Sequence, residues 1–289
     1  MFKEITGRTG LLCLLGSPVG HSISPQMHNE ACRVTGEDLR YLAFDVGVDE
    51  LETAVKGLLT LGVRGFNLTM PVKNAMAALC DELSPAARIG GAVNTVVNDN
   101  GRLIGHTTDG VGFVMSAKAE GVDIKGKRIV QLGAGGAGTA ILVQMAMDGA
   151  AGIDVFNMKD EFWPRVEDIA GQLNKETGCR VALHDLKDMA DLKGCMADAD
   201  MLVNTTPVGM ARIPGCLVPD ASYFSEGMVV ADVIYEPKET ELLKLAKEAG
   251  HKTFNGMYML LYQGAAAFHL WTGKDMPVEA IKAKYFAER

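Results

Sequence analysis

Two successive α/β units, the first built on a mixed sheet and the second on a doubly wound parallel sheet, are predicted from three features of the 289-residue chain. Short apolar runs alternate with stretches of helical periodicity along nearly the whole length. An Asp99-Asn100-Gly101 turn joins two such runs in the first half, as in a hairpin. In the second half a glycine string, Gly133-Ala134-Gly135-Gly136-Ala137-Gly138, directly follows an apolar strand and opens a helix.

In the first unit the pattern predicts a strand at 11–15, a helix at 25–34, a strand at 41–46, a helix across 48–62 and a strand at 65–68. Residues 92–98 then pair through the Asn100 turn with 102–105, which places an antiparallel pair in an otherwise parallel sheet. A helix at 110–121 follows. The second unit opens with a strand at 125–132 and a helix at 139–148. Further strands are expected at 152–156, 180–184, 201–204 and 228–233, separated by helical segments. The apolar stretch 257–271 is interrupted by Gln263 and His269 and falls short of the roughly 20 residues of a membrane span. It reads as a buried helix that packs back on the first unit. The expected domains are therefore 1–109 with 256–289, and 110–255.

Composition narrows the function classes. Hydrophobic residues make up 48% and charged residues 22%, too apolar for a disordered chain. A net charge of −8 repels a phosphate backbone, so nucleic acid is excluded as the expected partner and a small molecule is favoured. Six cysteines without a CxxC pair read as reduced thiols, and six histidines without HxH or HExxH spacing give no metal site. The first ten residues lack a secretory pattern, and the cytoplasm is the expected location. Sixteen methionines read as core filler.

The chemistry-bearing residues lie at strand ends. Gly133, Gly135 and Gly138 suit a tight turn, close approach of a pyrophosphate and close helix–strand contact, which is a dinucleotide site. Past the second strand, Asn157, Lys159 and Asp160 meet the adenosine end together, an ambiguous set because an acid suits ribose hydroxyls and a base suits a 2′-phosphate. Ser22 and Ser24, before a helix at Pro25, suit either a helix cap or a carboxylate site. Asn67, Thr69 and Lys73 follow one another at the end of a strand. Asn94 and Asp109 stand at two more junctions, and Asp109 serves equally well as a helix cap. Gln263, an amide on an apolar helix, needs hydrogen-bond partners wherever it is buried.

The strings HSISP, NLTMPVK, GAVNT, GHTTDG, GAGGAG and YQGAAAFHLWTG, in this order over nearly the whole chain, resemble the shikimate dehydrogenase family. The resemblance implies a substrate domain and a Rossmann domain with a cleft between them. It also implies reversible reduction of 3-dehydroshikimate to shikimate by a nicotinamide cofactor, a step of aromatic amino-acid biosynthesis, with no metal. Lys73 and Asp109 become the catalytic pair. Ser22, Ser24 and Tyr235 become carboxylate ligands, and Asn67, Thr69, Asn94 and Gln263 hold ring hydroxyls. The dinucleotide is expected to touch Gly133, Ala134, Gly135, Gly136, Ala137, Asn157, Met158, Lys159, Asp160, Thr205, Pro207, Val233, Tyr235 and Gly256. Met210 and Met259 are placed beside the nicotinamide.

Three departures from the family pattern matter. Thr107 replaces an Asn before Asp109, and Glu236 replaces an Asn near the nicotinamide. Met158 stands where NADP-dependent members carry an Arg, which removes a planar cation, while Asp160 repels a 2′-phosphate. The expectation is therefore NAD preferred over NADP, as in the quinate/shikimate dehydrogenase branch, with quinate as a second substrate. A strictly NADP-dependent biosynthetic enzyme is the alternative, and a non-catalytic dinucleotide-sensing module is the alternative outside enzymes. A homodimer is compatible with this reading.

Overall fold

The computed structural model describes residues 3–286, which divide into two compact units, 3–112 with 261–286, and 113–260. Both changeovers fall inside helices, Asp109–Ala119 and Met257–Thr272, rather than before them.

The first unit carries strands β1 (Gly10–Gly16), β2 (Leu39–Asp45), β3 (Gly65–Leu68), β4 (Glu82–Leu83), β5 (Thr95–Asp99) and β6 (Arg102–His106), in the order β2-β1-β3-β5-β6-β4. β5 runs antiparallel to both of its neighbours, and the remaining pairs are parallel. The turn behind this is Asn100-Gly101, with φ of 54° and 95°, a two-residue connection whose left-handed positions match the twist of a hairpin. The Asn98 side-chain oxygen accepts the Gly101 N–H at 2.7 Å. Register then decides the geometry: Asn67 pairs with Thr95, and Thr95 with His106. The end of β3, the start of β5 and the end of β6 lie together at one end of the sheet.

Successive residues of β1 point to opposite faces, and both faces are covered. Cys13 and Leu15 pack with Phe66, Val96 and the helix Leu51–Thr60, and Leu12 and Leu14 pack with Tyr41, Ala267 and Trp271. The Trp271 indole N–H donates to the Val96 carbonyl at 2.9 Å, and the Trp271 carbonyl accepts from Arg64 Nε at 3.1 Å. A Cβ at Gly65 would lie 2.4 Å from Trp271 Nε1, so only glycine admits the ring there. The helix Ser24–Thr35 has Pro25 in its first turn and ends on Gly36 at φ 73°.

The second unit carries β7 (Arg128–Leu132), β8 (Gly152–Asn157), β9 (Arg180–Asp185), β10 (Met201–Asn204), β11 (Val229–Asp232) and β12 (Lys252–Phe254) in the order β12-β11-β10-β7-β8-β9, all parallel. Strand order reverses between β7 and β10, the place where an open parallel sheet binds its ligand. The strands are near-continuous apolar runs, as burial on both faces requires. The helix expected from 139 begins at Gly136, because the end of β7 delivers the glycines themselves into the first turn. β4 and β12, two and three residues long, are too short for a period-2 pattern to reveal.

All six cysteines are free. Burial pushes the Cys13 thiol up to about 12 and those of Cys32, Cys80, Cys179 and Cys195 up to about 11, the pattern of inert thiols. Among the described residues no helix is long and apolar enough to cross a membrane.

One ion pair ties the C-terminal helix Val278–Tyr285 to the first unit. Glu30 is buried, and its carboxylate takes Arg33 Nη2 at 2.6 Å, Arg33 Nε at 2.8 Å and Lys284 Nζ at 3.0 Å. The Arg33 bonds, outweighing burial and helped by Lys284, hold its pKa down to about 2, below the usual carboxylate value of 4.5. A depressed carboxylate stabilises the fold above its unfolded pKa, and that contribution is lost as pH falls from about 4.5 toward about 2. Glu30→Gln is expected to unfold about 1 kcal/mol more easily at pH 7, a figure reduced for the half-exposed Arg33 and Lys284. Denaturant titrations at a series of pH values check this, with the difference from the unsubstituted protein closing below pH 4.5.

Candidate active site

The β3, β5 and β6 ends bring Lys73, Asn94 and Asp109 together although 36 residues separate the first from the last. Lys73 opens the short helix Lys73–Ala77 after β3, Asn94 immediately precedes β5, and Asp109 opens the helix Asp109–Ala119 after β6. Lys73 Nζ lies 2.6 Å from Asp109 Oδ2, with side-chain exposures of 24% and 14%, enough to reach a ligand and too little for full screening. Asn94 Nδ2 donates to the other carboxylate oxygen at 2.8 Å. Asn94 is itself fixed, because its Oδ1 accepts the Thr108 N–H at 2.7 Å and the Thr95 hydroxyl at 3.1 Å.

Asn67 lies behind this group and is 5% exposed. Its Nδ2 donates to the Asn94 carbonyl at 3.1 Å and to Thr95 Oγ1 at 2.9 Å, and its Oδ1 accepts the Tyr41 hydroxyl at 2.8 Å. Both amide protons thus go to protein acceptors, leaving only the oxygen free to take a further donor. Thr69 is half-buried at the end of β3, where its N–H donates to the Leu15 carbonyl at 2.9 Å. Ser24 is buried and Ser22 half-buried. Ser22 Oγ accepts the Ser24 N–H at 3.2 Å, while the cap residue of the helix is Ile23 with no side-chain cap. The serines are therefore not the cap, and Asp109 does not cap its helix either. Gln263 is half-buried in the helix Met257–Thr272.

In the second unit the glycine loop presents its donors outward. Gly133 has φ 86°, a conformation an L-residue rarely adopts, and a Cβ at Gly138 would lie 2.4 Å from Thr205 Oγ1 and 2.9 Å from the Gly133 carbonyl. Side chains cover the loop carbonyls. Gln131 Nε2 donates to Gly133 O and Gly138 O at 2.8 and 2.9 Å, Thr205 Oγ1 to Gly133 O at 2.7 Å, and Thr139 Oγ1 to Ala134 O at 2.9 Å. The first N–H groups of the helix Gly136–Met147 have no intrahelical acceptor and carry the positive end of its dipole. A Cβ at Gly135 or Gly136 would meet no protein atom within 4 Å, so the glycines leave an open cradle of the kind a pyrophosphate fills.

At the end of β8, Asn157 Oδ1 accepts the Ala134 N–H at 3.1 Å, bracing the same loop. Met158 is 40% exposed. The Lys159 ammonium stands 3.7 Å from Asp185 and 5.4 Å from the centre of the Trp163 ring, and one Asp160 oxygen accepts the Phe162 N–H at 2.9 Å. Pro207 and Tyr235 are exposed, Ala137, Val233, Met210 and Met259 half-buried. Gly256 is buried, and a Cβ there would lie 1.9 Å from the Val233 carbonyl oxygen.

Comparison with known proteins decides the family. Residues 14–96 match the shikimate dehydrogenase substrate binding domain, and residues 256–284 match the shikimate 5'-dehydrogenase C-terminal domain. A shikimate dehydrogenase (NADP(+)) of Listeria monocytogenes is 45% identical over 285 residues, covering 98% of each chain. The structure of a shikimate 5-dehydrogenase from Listeria monocytogenes in complex with shikimate and NAD superposes with a TM-score of 0.94 at 45% identity, covering 98% of each chain. A quinate dehydrogenase from Corynebacterium glutamicum in complex with NAD superposes with a TM-score of 0.84 at 33% identity, covering 95% of this chain and 98% of that one. The chain belongs to the shikimate dehydrogenase family. It is an oxidoreductase that acts on a CH–OH donor, and the non-catalytic sensing module drops out.

Within that family frame, Thr107 is buried and the loop carrying it still brings Asp109 to Lys73. Glu236 is exposed after β11. Sequence reasoning passed over the residues that hold the site from behind. Tyr41, Thr95 and Thr108 read as ordinary strand and loop residues, and Gln131 as an interior strand position. For Gln131 a signal was present, since an amide inside an apolar strand before a glycine loop must find acceptors. Asp154, His184 and Cys195 bring three ligand-type atoms within 4.8 Å, a grouping their spacing hides. Asp154 Oδ1 is already engaged by Arg180 at 2.7 Å and by His184 at 3.1 Å, and His184 Nδ1 by Asp191 at 2.7 Å, which makes it an ion-pair cluster.

Gly138→Ala tests the glycine loop, because its methyl group displaces Thr205 or the Gly133 carbonyl. Dinucleotide binding is expected to weaken by about tenfold, the worth of one lost hydrogen bond, with far-UV circular dichroism unchanged. Titration followed by quenching of protein fluorescence reads it.

Proposed function

We propose that this protein is a quinate/shikimate dehydrogenase that prefers NAD, accepts NADP, and interconverts shikimate with 3-dehydroshikimate and quinate with 3-dehydroquinate. The first unit is the substrate domain and the second the dinucleotide domain. The observation that carries the reading is the Lys73–Asp109 pair, 2.6 Å apart and braced by Asn94, in the unit that matches a substrate binding domain.

Oxidising a secondary alcohol removes a hydride from carbon and a proton from oxygen, and the nicotinamide, when bound, takes the hydride. The chain must handle the proton. In the reducing direction the Lys73 ammonium donates it to the oxygen gaining electrons, and in the oxidising direction the Lys73–Asp109 pair receives it. Asp109 orients the ammonium through Oδ2 while Asn94 immobilises Oδ1, so the pair does not reorganise as charge develops. Ser22, Ser24 and Tyr235 bind the substrate carboxylate. Thr69, Asn94, Gln263 and the Asn67 oxygen hold ring hydroxyls.

The NAD preference rests on three side chains at the end of β8. Met158 offers no charge, Asp160 offers one carboxylate oxygen to ribose hydroxyls, and the Lys159 ammonium is drawn toward Asp185 and Trp163. A 2′-phosphate would meet one cation already paired with an acid and a second acid beside it. NADP is therefore taken with lower kcat/KM, not excluded.

Two measurements test the proposal. Initial rates of shikimate and quinate oxidation with each dinucleotide, followed by absorbance of the reduced nicotinamide, are expected to show NAD favoured and both acids turned over. NADP preference with shikimate alone would establish the strictly biosynthetic alternative. Lys73→Ala is expected to lower kcat by about 10³-fold, the range of positioned acid–base groups, while shikimate still binds. Near-normal turnover by that variant would remove Lys73 from the mechanism.

A further inference from the structure

The hydrogen bonds behind the Lys73–Asp109 pair run in one sense, and the run begins at a buried phenol. The orientation of Asn67 is forced, because its Nδ2 faces the Asn94 backbone carbonyl, which only accepts. Its Oδ1 is therefore an acceptor, and the Tyr41 hydroxyl 2.8 Å away must be the donor. The orientation of Asn94 is forced likewise, since its Oδ1 faces the Thr108 backbone N–H, which only donates. Thr95 links the two amides: its Oγ1 accepts Asn67 Nδ2 at 2.9 Å and lies 3.1 Å from Asn94 Oδ1 and 3.0 Å from Thr108 Oγ1, which itself stands 3.2 Å from Asn94 Oδ1, so the hydroxyl run passes from Thr95 to Asn94 directly or through Thr108. Asn94 Nδ2 then reaches the Asp109 carboxylate at 2.8 Å, and Lys73 closes the run from the other oxygen.

Tyr41 is held for this task. Its side chain has no solvent exposure and lies face to face with the His28 ring, 4.5 Å between centres and 11° between planes. His28 is also fully buried, and neither of its ring nitrogens has a hydrogen-bond partner. Burial drives its pKa down to about 3, so the ring is neutral at working pH and serves as a flat aromatic support. Stacking directs the His28 nitrogens in the plane of its own ring, away from the phenol proton, so they do not compete with Asn67 for it. Gly264 makes the packing possible, since a Cβ there would lie 2.2 Å from Met27 Cε and 3.4 Å from His28 Nε2.

We infer that Tyr41, supported by the stacked His28, is a positioning residue for the reaction: its hydroxyl holds Asn67 in the Thr95–Asn94 relay that sets the Asp109 carboxylate against Lys73. The inference rests on the proposed role of Lys73 and Asp109. It adds a fully buried residue to which no motif pointed.

Tyr41→Phe keeps the ring and removes only the hydroxyl, leaving Asn67 Oδ1 buried without its donor. Thr95→Val, nearly the same shape, cuts the relay in the middle. Each is expected to lower kcat for shikimate oxidation by about tenfold with KM for the dinucleotide within about twofold, and the double variant to fall no further than either single one, because both break one run. Near-UV circular dichroism checks that the variants fold. A folded Tyr41→Phe protein with unchanged kcat, or a double variant whose losses multiply, would overturn the assignment. A second readout needs no turnover. The side-chain amide protons of Asn67 and Asn94, buried and hydrogen-bonded, are expected to exchange slowly in the unsubstituted protein and faster in Tyr41→Phe, while that of Asn157 is unchanged. Unchanged Asn94 exchange overturns the inference by itself. If the unsubstituted protein turns over neither acid, the functional reading fails, and the amide exchange still decides whether Tyr41 holds the relay.

Discussion

The register of one antiparallel strand brings Lys73, Asn94 and Asp109 together. In a wholly parallel sheet the starts of strands lie at the end opposite their finishes, and a residue just before β5 would be a strand's length from residues just after β3 and β6. Reversing β5 puts Asn94 beside both. Shifting β5 by one residue would turn Thr95 to the other face and break the bond it accepts from Asn67. The two left-handed positions at Asn100 and Gly101 are therefore part of the active-site geometry although they lie at the far end of the hairpin.

The two candidate sites are built by different means. In the first unit the donors and acceptors are side chains, and a half-buried ion pair is tolerable there because Asn94 satisfies the second carboxylate oxygen and is itself held by the backbone N–H of Thr108. Such a group is sensitive to one missing atom, since each member fixes the next. In the second unit the donors are backbone N–H groups at a helix start, and the side chains of Gln131, Thr139 and Thr205 occupy the carbonyls instead of the ligand. That arrangement excludes acceptors from the side an anion approaches. It also explains the pattern of glycines, with Gly133 and Gly138 required by the protein itself and Gly135 and Gly136 by what must come close.

Much of this was legible in the sequence because local chemistry dictated it. The Asp99-Asn100-Gly101 turn has one natural use between apolar runs, and it gave the mixed sheet. The apolar strand before Gly133 gave the parallel one. Lys73, Asn94 and Asp109 stood out individually as polar groups at strand ends, yet their meeting depends on strand order, which no local pattern encodes. The resemblance to a family supplied that link. Tyr41 and His28 stayed hidden for a physical reason: a tyrosine in a strand and a histidine in a helix are unremarkable until the packing shows one buried with its hydroxyl committed and the other buried with none of its nitrogens committed. Asp109 illustrates the reverse, since a helix start invites a cap from sequence, while in the fold its carboxylate is turned to Lys73 and Asn94.

Selectivity for the dinucleotide and chemistry on the substrate are consequently separable in this molecule. The groups at the end of β8 on which the proposed cofactor preference rests are exposed: Met158, Lys159 and Asp160 lie outside the buried core and hold no strand in register. Changing them alters a local charge balance at little cost to the fold. Lys73 and Asp109 have no such freedom, because their positions are fixed through Asn94, Thr95 and Asn67 to the interior of a sheet.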